Sequence, residues 1–370
     1  MDRPTLTRRQ LNRATLARQM LLRREAVSPV DAVERLGGLQ AQEPKPPFVG
    51  LWSRVEGFLP DDLHRALHGR EVVRATLMRA TLHLFSARDY RTFRIALQPV
   101  MTQALGVLGA RAEGMDIDLV LPVARALLRD RPLAFDAIRA ALVERFPEAN
   151  DRALGYAVRT HLPLVMVPTG DRWAFPSVAA FALAEEWLGT PLADEPALEA
   201  LVLRYLGAFG PATVADAQGW SGLRGLKPTF EALRPRLLTS KDERGRELFD
   251  LPEAPRPDGD HPAPPRFLPE FDSLVLAHAD RSRLLADEHR ALVVTKNLRV
   301  RATFLWDGSV AGTWGVERRR GNATLRLAPF APLPGPAVDE LGHEGDALLR
   351  FLEPDAAARD VQVDAQPPAS

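Results

Sequence analysis

The chain has 370 residues, 46% of them hydrophobic and 26% charged, which suits a globular protein with a sizeable core. It contains no cysteine, so disulfides, thiolate metal sites and a cysteine nucleophile are excluded. Its 48 basic and 48 acidic residues cancel overall, yet residues 1–30 hold seven arginines against only Asp2 and Glu25.

No apolar run reaches the roughly 18 residues of a membrane span, and the polar start MDRPTLTRRQ is no signal peptide. A cytoplasmic protein of two or three modules is expected. Thr7-Arg8-Arg9-Gln10 reads as a capping box, with Leu6 and Leu11 as its hydrophobic staple. The helix it opens carries apolar residues from Leu11 to Leu22. A second helix starts at the Ser28 cap with Pro29 in its first turn and ends at Gly37-Gly38. Pro44, Pro46 and Pro47 then interrupt regular structure, and a third helix begins at Pro60-Asp61-Asp62. Residues 71–85, EVVRATLMRATLHLF, read as a hairpin. Helix, helix, helix, ribbon is the order of a winged helix.

The order returns. LAFDAIRAALVERFP and DRALGYAVRTHLP read as helices, followed by LVMVPTGDRWAF as two short strands about Thr169-Gly170-Asp171. A third instance runs through PALEALVLRYLGAFG, PATVADAQGWSG and a helix ending near Leu233, with strands near Glu247 to Leu251. Residues 250–265 are proline-rich and read as a linker. Beyond them FDSLVLAH, RALVVTKN, RVRATFLW, SVAGTWGV and ATLRLAPF read as strands of a small barrel or curved sheet, with an amphipathic segment after them. The expected fold class is α+β: winged-helix modules over 1–100, 101–190 and 191–255, a β-barrel-like domain over 266–352, and a disordered tail over 353–370.

GGLQAQ, MRATLH, GPATVADAQGWSGL, LPEFDSLVLAHADRSR and DGSVAGTW stand in this order. With them the chain resembles the AlkZ/YcaQ family of bacterial winged-helix DNA glycosylases over most of residues 5–352. The resemblance implies tandem winged helices around a DNA channel, a C-terminal β-barrel, and excision of N7-alkylated purines, interstrand cross-links included in some members. The family's Gln-x-Gln or Gln-x-Asp motif falls on Gln40 and Gln42, implying that these are catalytic. The Gln form is that of the AlkZ branch, whose founding role is self-resistance to a cross-linking natural product.

The chemistry is consistent with two amides. An N7-alkylpurine is already cationic and leaves as a neutral base, so the enzyme has chiefly to place a water and stabilise an oxocarbenium-like sugar. Side-chain carbonyl oxygens can do both. Gly37 and Gly38 would let the backbone approach a duplex closely. Glu43 adjoins the motif as a rival base, although strict alternation would put it on the opposite face from Gln40 and Gln42. No lysine lies in the motif, so no Schiff-base lyase step is expected.

The candidates for DNA contact are Lys45, Arg54, Arg79, Thr81, His83 and the hairpin tip Arg318, Arg319 and Arg320. For each the plainer reading stays open: His83 as a histidine satisfied within the sheet, Arg79 and Thr81 as surface on its face, the arginine tip as a solvated turn. Asp280, Arg281 and Arg283 suggest a structural ion pair, and Trp306 and Trp314 suggest core. No metal or cofactor is expected, and no Walker, dinucleotide, HExxH or GxSxG motif is present. The expected partner is double-stranded DNA bearing alkylated purines, bound by a monomer at the nucleoid. The rival reading is a winged-helix DNA-binding protein without catalysis, either a regulator or a lesion-sequestering resistance protein.

Overall fold

The computed structural model describes residues 3–297 and 299–364. The capping box forms as expected: the Thr7 side chain accepts from the Gln10 backbone and the Gln10 side chain reaches back. The helix it opens, Arg8–Arg18, leaves Arg8 and Arg9 exposed but turns Arg13 and Arg18 inward. Arg18 is buried and bidentate to Asp250, at 2.6 and 2.9 Å, and also reaches the Leu206 carbonyl. Arg13 is equally buried and binds Asp307 and the carbonyl of His261, the latter at 2.6 Å. The N-terminal arginines therefore tie distant parts of the chain, including the proline-rich stretch, and their excess is largely neutralised within the protein.

The hairpin predicted over 71–85 is present as Val72–Thr76 against Leu82–Ser86. It does not stand alone. A six-stranded antiparallel sheet runs in the order Leu39–Gln40, Leu82–Ser86, Val72–Thr76, Leu164–Met166, Ala180–Leu183, Leu133–Ala134. Strand alternation gives it two buried faces. Val72, Leu84 and Met166 enter one core, while Val73, Ala75, Phe85 and Val165 enter the other. The partner of Leu164–Met166 is not the stretch after Thr169-Gly170-Asp171, as expected, but Ala180–Leu183. The segment between makes turns, with the Ala174 amide donating to the Asp171 carbonyl at 2.7 Å.

The third stretch has the expected helices, Leu198–Phe209, Val214–Ser221 and Lys227–Leu233, while its strand pair, Leu238–Asp242 and Glu247–Asp250, begins before the expected Glu247. The N-terminal strand Thr5–Leu6 joins this pair in parallel. Pro44, Pro46 and Pro47 do not end regular structure; Pro46 begins a helix, Pro46–Trp52, where a missing N–H costs nothing.

The C-terminal part departs furthest from the sequence reading. Among the described residues its sheet has five strands, ordered Arg266–Leu268, Thr303–Trp306, Ser309–Arg319, Asn322–Pro329, Arg359–Val363, and its outer two strands do not pair. It is an open sheet, not a closed barrel. The Gly335–Leu352 helix packs on one face, with Gly345 lying so close that an added Cβ would sit 2.8 Å from Leu325. FDSLVLAH and RALVVTKN are not strands. Asp272 caps a tight helical turn by accepting from the Leu274 amide, and Arg290–Val293 is one short helix. Within residues 353–364, expected as disordered, Arg359–Val363 forms the fifth strand by pairing along Asn322–Pro329, with Val361 beside Gly345. The rest of that expected tail, 365–370, lies outside the described residues.

Candidate active site

The six-stranded sheet presents Gln40 at its edge. Gln40 lies opposite His83, and the Ala41 amide extends the pairing with a 2.7 Å bond to the Leu82 carbonyl. There the chain turns, and one buried arginine holds the turn. Arg74 donates from Nε to the Ala41 carbonyl at 2.9 Å and from a terminal nitrogen to the Gln42 carbonyl at 3.1 Å. Its guanidinium also rests over the Phe175 ring, 4.9 Å from the centroid. Burial lowers the Arg74 pKa to about 10, with Glu43 opposing the shift. Arg74 therefore remains a cation at neutral pH.

The Gln40 side chain is buried, and its Oε1 accepts from Arg79 at 3.0 Å. Arg79 sits at the hairpin tip, where it and Ala80 take left-handed backbone with φ of 53° and 56°. Its other terminal nitrogen donates to the Trp220 carbonyl. Gly222, at φ 84°, gives the tip room, since a Cβ there would lie 3.3 Å from the Arg79 backbone. The MRATLH and QGWSGL segments thus meet at Arg79, and Arg79 holds Gln40. Burial, reinforced by nearby Arg281, lowers the Arg79 pKa to about 10.

Gln42 differs from Gln40. It is exposed, and its Oε1 is 3.4 Å from the Leu82 amide, a long contact. It lines a cleft of about 450 Å³ together with Glu43, Thr81, Arg159 and Arg299. Glu43 and Gln42 border the same cleft, because the turn after Ala41 breaks the strict alternation that would part them. One anchored amide, one open amide, a carboxylate and two arginines border the same space. The open amide and the carboxylate can accept from a water there, while the arginines suit phosphate oxygens.

Several sequence-level candidates lie elsewhere. Arg54 is fully buried, bonded to Asp272 at 3.0 Å and to the Gly50 carbonyl at 3.0 Å, and cannot meet DNA. His83 is buried, with Nδ1 2.9 Å from the Thr81 carbonyl, so Nδ1 carries the proton. Its Nε2 is buried without a partner among the described residues. Burial first, then Arg79, pushes its pKa to about 3, and it is a neutral residue inside the sheet rather than a DNA contact. Gly37 and Gly38 do not face a duplex either: an added Cβ would meet Ala208 and Phe209 at one and the Phe85 ring, 2.3 Å away, at the other. Asp280 pairs not with Arg281 or Arg283 but with Arg244 and Arg246.

Thr81 lines the Gln42 cleft and donates to the Met78 carbonyl. Lys45 is half-buried in an adjoining cavity, where burial and then Arg318 lower its pKa. Arg318, Arg319 and Arg320 occupy the tip of the long Ser309–Arg319 and Asn322–Pro329 hairpin. All three are exposed; Arg318 is paired with Glu353, and Arg319 makes a long 3.9 Å contact with Glu317. The sequence reading missed Arg74, Arg159 and Arg299. Arg74 had a signal, a lone charge within the apolar strand VVRAT, which requires a buried partner; the other two had none. Among the described residues no cluster of three or more histidines, aspartates or glutamates could hold a metal, and no helix is long and apolar enough to cross a membrane.

A family model described as DNA glycosylase AlkZ-like matches residues 33–351. An interstrand DNA cross-link repair glycosylase of Streptomyces sahachiroi is 27% identical, over 90% of this chain and 94% of its own. The solved structure of S. sahachiroi DNA glycosylase AlkZ superposes with a TM-score of 0.78 at 22% identity, covering 97% of this chain and all of that one. That likeness establishes the fold, α+β as in that structure.

Proposed function

Because the chain belongs to the AlkZ-like DNA glycosylase family, we propose that it hydrolyses the N-glycosidic bond of N7-alkylated purines in duplex DNA, purines in interstrand cross-links included. Gln42 is the group that meets the attacking water and the developing cation at C1′, and Gln40 sets the geometry from behind. The observation that carries this reading is the mounting of the motif. Arg74 fixes the Ala41 and Gln42 backbone carbonyls and Arg79 fixes the Gln40 amide, while the Gln42 side chain is left open to the cleft. Rigid placement is most of what a dipolar catalyst contributes, because an amide has no proton to give up and no charge to spend. The cross-link relative, at 27% identity, supports the substrate class.

Binding is duplex-wide and led by phosphates. Arg159 flanks the cleft, Arg299 beside it is paired with Glu270 at 3.2 Å, and Arg319 and Arg320 extend the positive surface along the hairpin. The recurring order of helices followed by strands supports tandem winged-helix modules facing a DNA channel. The test is single-turnover release of 7-methylguanine and of a nitrogen-mustard cross-linked guanine, by wild type, Gln40→Ala and Gln42→Ala. Release that falls by about an order of magnitude or more in both variants is the expected result. Release unaffected by either change would move the chemistry to Glu43. Tight duplex binding without any release would leave a DNA-binding protein without catalysis.

A further inference from the structure

Resting on the duplex-binding part of the reading above, we propose that Arg281 and Arg290 form a binding site for one backbone phosphate of the DNA strand that lies against Gln40 and Arg79. The first observation is a cation with nothing to hold. The Arg281 side chain makes no hydrogen bond or ion pair among the described residues, and its Nε and one terminal nitrogen are buried without an acceptor. Three other inward arginines each have a carboxylate: Arg18 binds Asp250, Arg54 binds Asp272 and Arg13 binds Asp307. A guanidinium withdrawn from water with its donors unsatisfied is costly unless an acceptor arrives from outside.

The backbone that carries Arg281 is, by contrast, firmly tied. Asp280 accepts from the Ser282 amide at 3.0 Å and pairs with Arg244 and Arg246. The Arg281 carbonyl accepts from the Leu284 and Leu285 amides, each at 2.9 Å. Two residues on, Arg283 is buried and donates to the Pro211 carbonyl at 3.0 Å. The carboxylate next to Arg281 in sequence is therefore occupied elsewhere, and a rigid turn presents the free guanidinium.

The charges nearby select an anion. Burial, then Arg290, lowers the Arg281 pKa, and burial, then Arg281, lowers that of Arg79 to about 10; no carboxylate offsets either. Asp287 and Glu288 precede Arg290 in its turn but do not act on Arg281. Arg79 has given its terminal nitrogens to Gln40 and Trp220, so the open donors belong to Arg281 and the exposed Arg290. Arg79 bonds the motif directly, and three uncompensated guanidinium groups there would oppose a reaction that builds positive charge at C1′. A phosphodiester bound by Arg281 and Arg290 cancels that field. Its oxygens also match the fork of a guanidinium.

The test uses the full-length chain with Arg281→Gln, Arg281→Lys and Arg290→Gln. Because the Arg281 side chain satisfies nothing within the fold, Arg281→Gln should keep or raise the melting temperature. A clear fall would make Arg281 a structural group and overturn the proposal. Titrations of an undamaged duplex by fluorescence anisotropy require no base release, so they stand apart from the glycosylase reading. The slope of log affinity against log salt should fall by about 0.9 in Arg281→Gln, the value for one phosphate contact, similarly in Arg290→Gln, and less in Arg281→Lys. Unchanged slopes overturn the proposal. A methylphosphonate scan around a 2′-fluoro-stabilised 7-methylguanine then locates the phosphate. Neutralising one position beside the lesion should weaken wild type about as much as Arg281→Gln does, and weaken that variant no further. Losses that simply add at every position would overturn the assignment to DNA. So would inorganic phosphate that raises the melting temperature of wild type but not of Arg281→Gln while the salt slopes stay equal, since the site would then serve a free anion.

Discussion

The Arg79 guanidinium donates to the Gln40 amide oxygen over 3.0 Å while its other terminal nitrogen donates to the Trp220 carbonyl. One cation thus joins the first hairpin, the edge strand and the Val214–Ser221 helix. Among the described residues no carboxylate pairs with it, so its bonds are spent on orientation. Arg79→Ala should slow base release about 10- to 100-fold while leaving duplex affinity nearly unchanged. Gly222→Ala should act in the same direction more weakly, because its Cβ would crowd the Arg79 backbone at a left-handed φ. Single-turnover rates measured beside fluorescence-anisotropy binding would decide; loss of affinity matching the loss of rate would make Arg79 a DNA contact instead.

Gln40 and Gln42 should separate by stability. Gln42 is exposed, so Gln42→Ala should leave thermal stability unchanged and lower only the rate. Gln40→Ala leaves the half-buried Arg79 guanidinium short of an acceptor and should cost about 1 kcal/mol as well as rate. Chemical denaturation of both variants checks this. Equal destabilisation would mean that the Gln42 amide is buried in solution.

Arg54 belongs to the core. It is bonded to Asp272 within a fully buried pair. Arg54→Ala should destabilise the fold by about 3–5 kcal/mol by stranding the Asp272 charge. Joint replacement by Arg54→Met and Asp272→Leu should restore much of that loss. A soluble, stable Arg54→Ala protein with weakened DNA binding would be the opposite result.

What the sequence made legible was local. The Thr7 capping box, the Ser28-Pro29 start and the 72–86 hairpin each rest on residues within a turn of one another, and all three form. The failures were non-local. FDSLVLAH alternates like a strand, but Asp272 bonds the amide two residues on and sits beneath Arg54, which winds the segment into a helical turn. Asp360-Val361-Gln362-Val363 looks too short and polar to fold alone, and becomes a strand only because Asn322–Pro329 offers an edge. At the site, the motif residues Gln40 and Gln42 were legible by resemblance. Their unequal burial was not, since it is set by Arg74 and Arg79 from the neighbouring hairpin.

Acid should unfold this protein through its buried histidines. Burial, then a neighbouring arginine, holds His83 and His278 to about 3. In the unfolded chain each takes up a proton below about 6.5, whereas the native state does so only near 3. Their contribution to stability is therefore complete above about 6.5 and is lost as pH falls through that interval. Urea midpoints measured between pH 7 and 4 should fall steadily. His83→Gln should flatten the slope by up to about one proton. An unchanged slope would mean that His83 titrates in the native state.

The hairpin tip is where charge, not chemistry, should govern binding. All three are exposed, but Arg318 is held by Glu353, Arg319 reaches Glu317 only over 3.9 Å, and Arg320 pairs with no carboxylate among the described residues, so the three are not equivalent although they are adjacent. A cation already neutralised within the protein releases fewer counterions from DNA than an open one. Each of Arg319→Ala and Arg320→Ala should reduce the slope of log affinity against log salt by about 0.9, the value for one lost phosphate contact. Arg318→Ala should change that slope little, because removing it exposes Glu353 rather than withdrawing a free cation. Release rates at saturating protein should be unchanged in all three, since none of them lines the Gln42 cleft. Titrations of an undamaged duplex at four salt concentrations would read these differences directly. Equal slopes for the three variants would show that Glu353 lets go of Arg318 when DNA binds, so that the whole tip engages as one cationic unit.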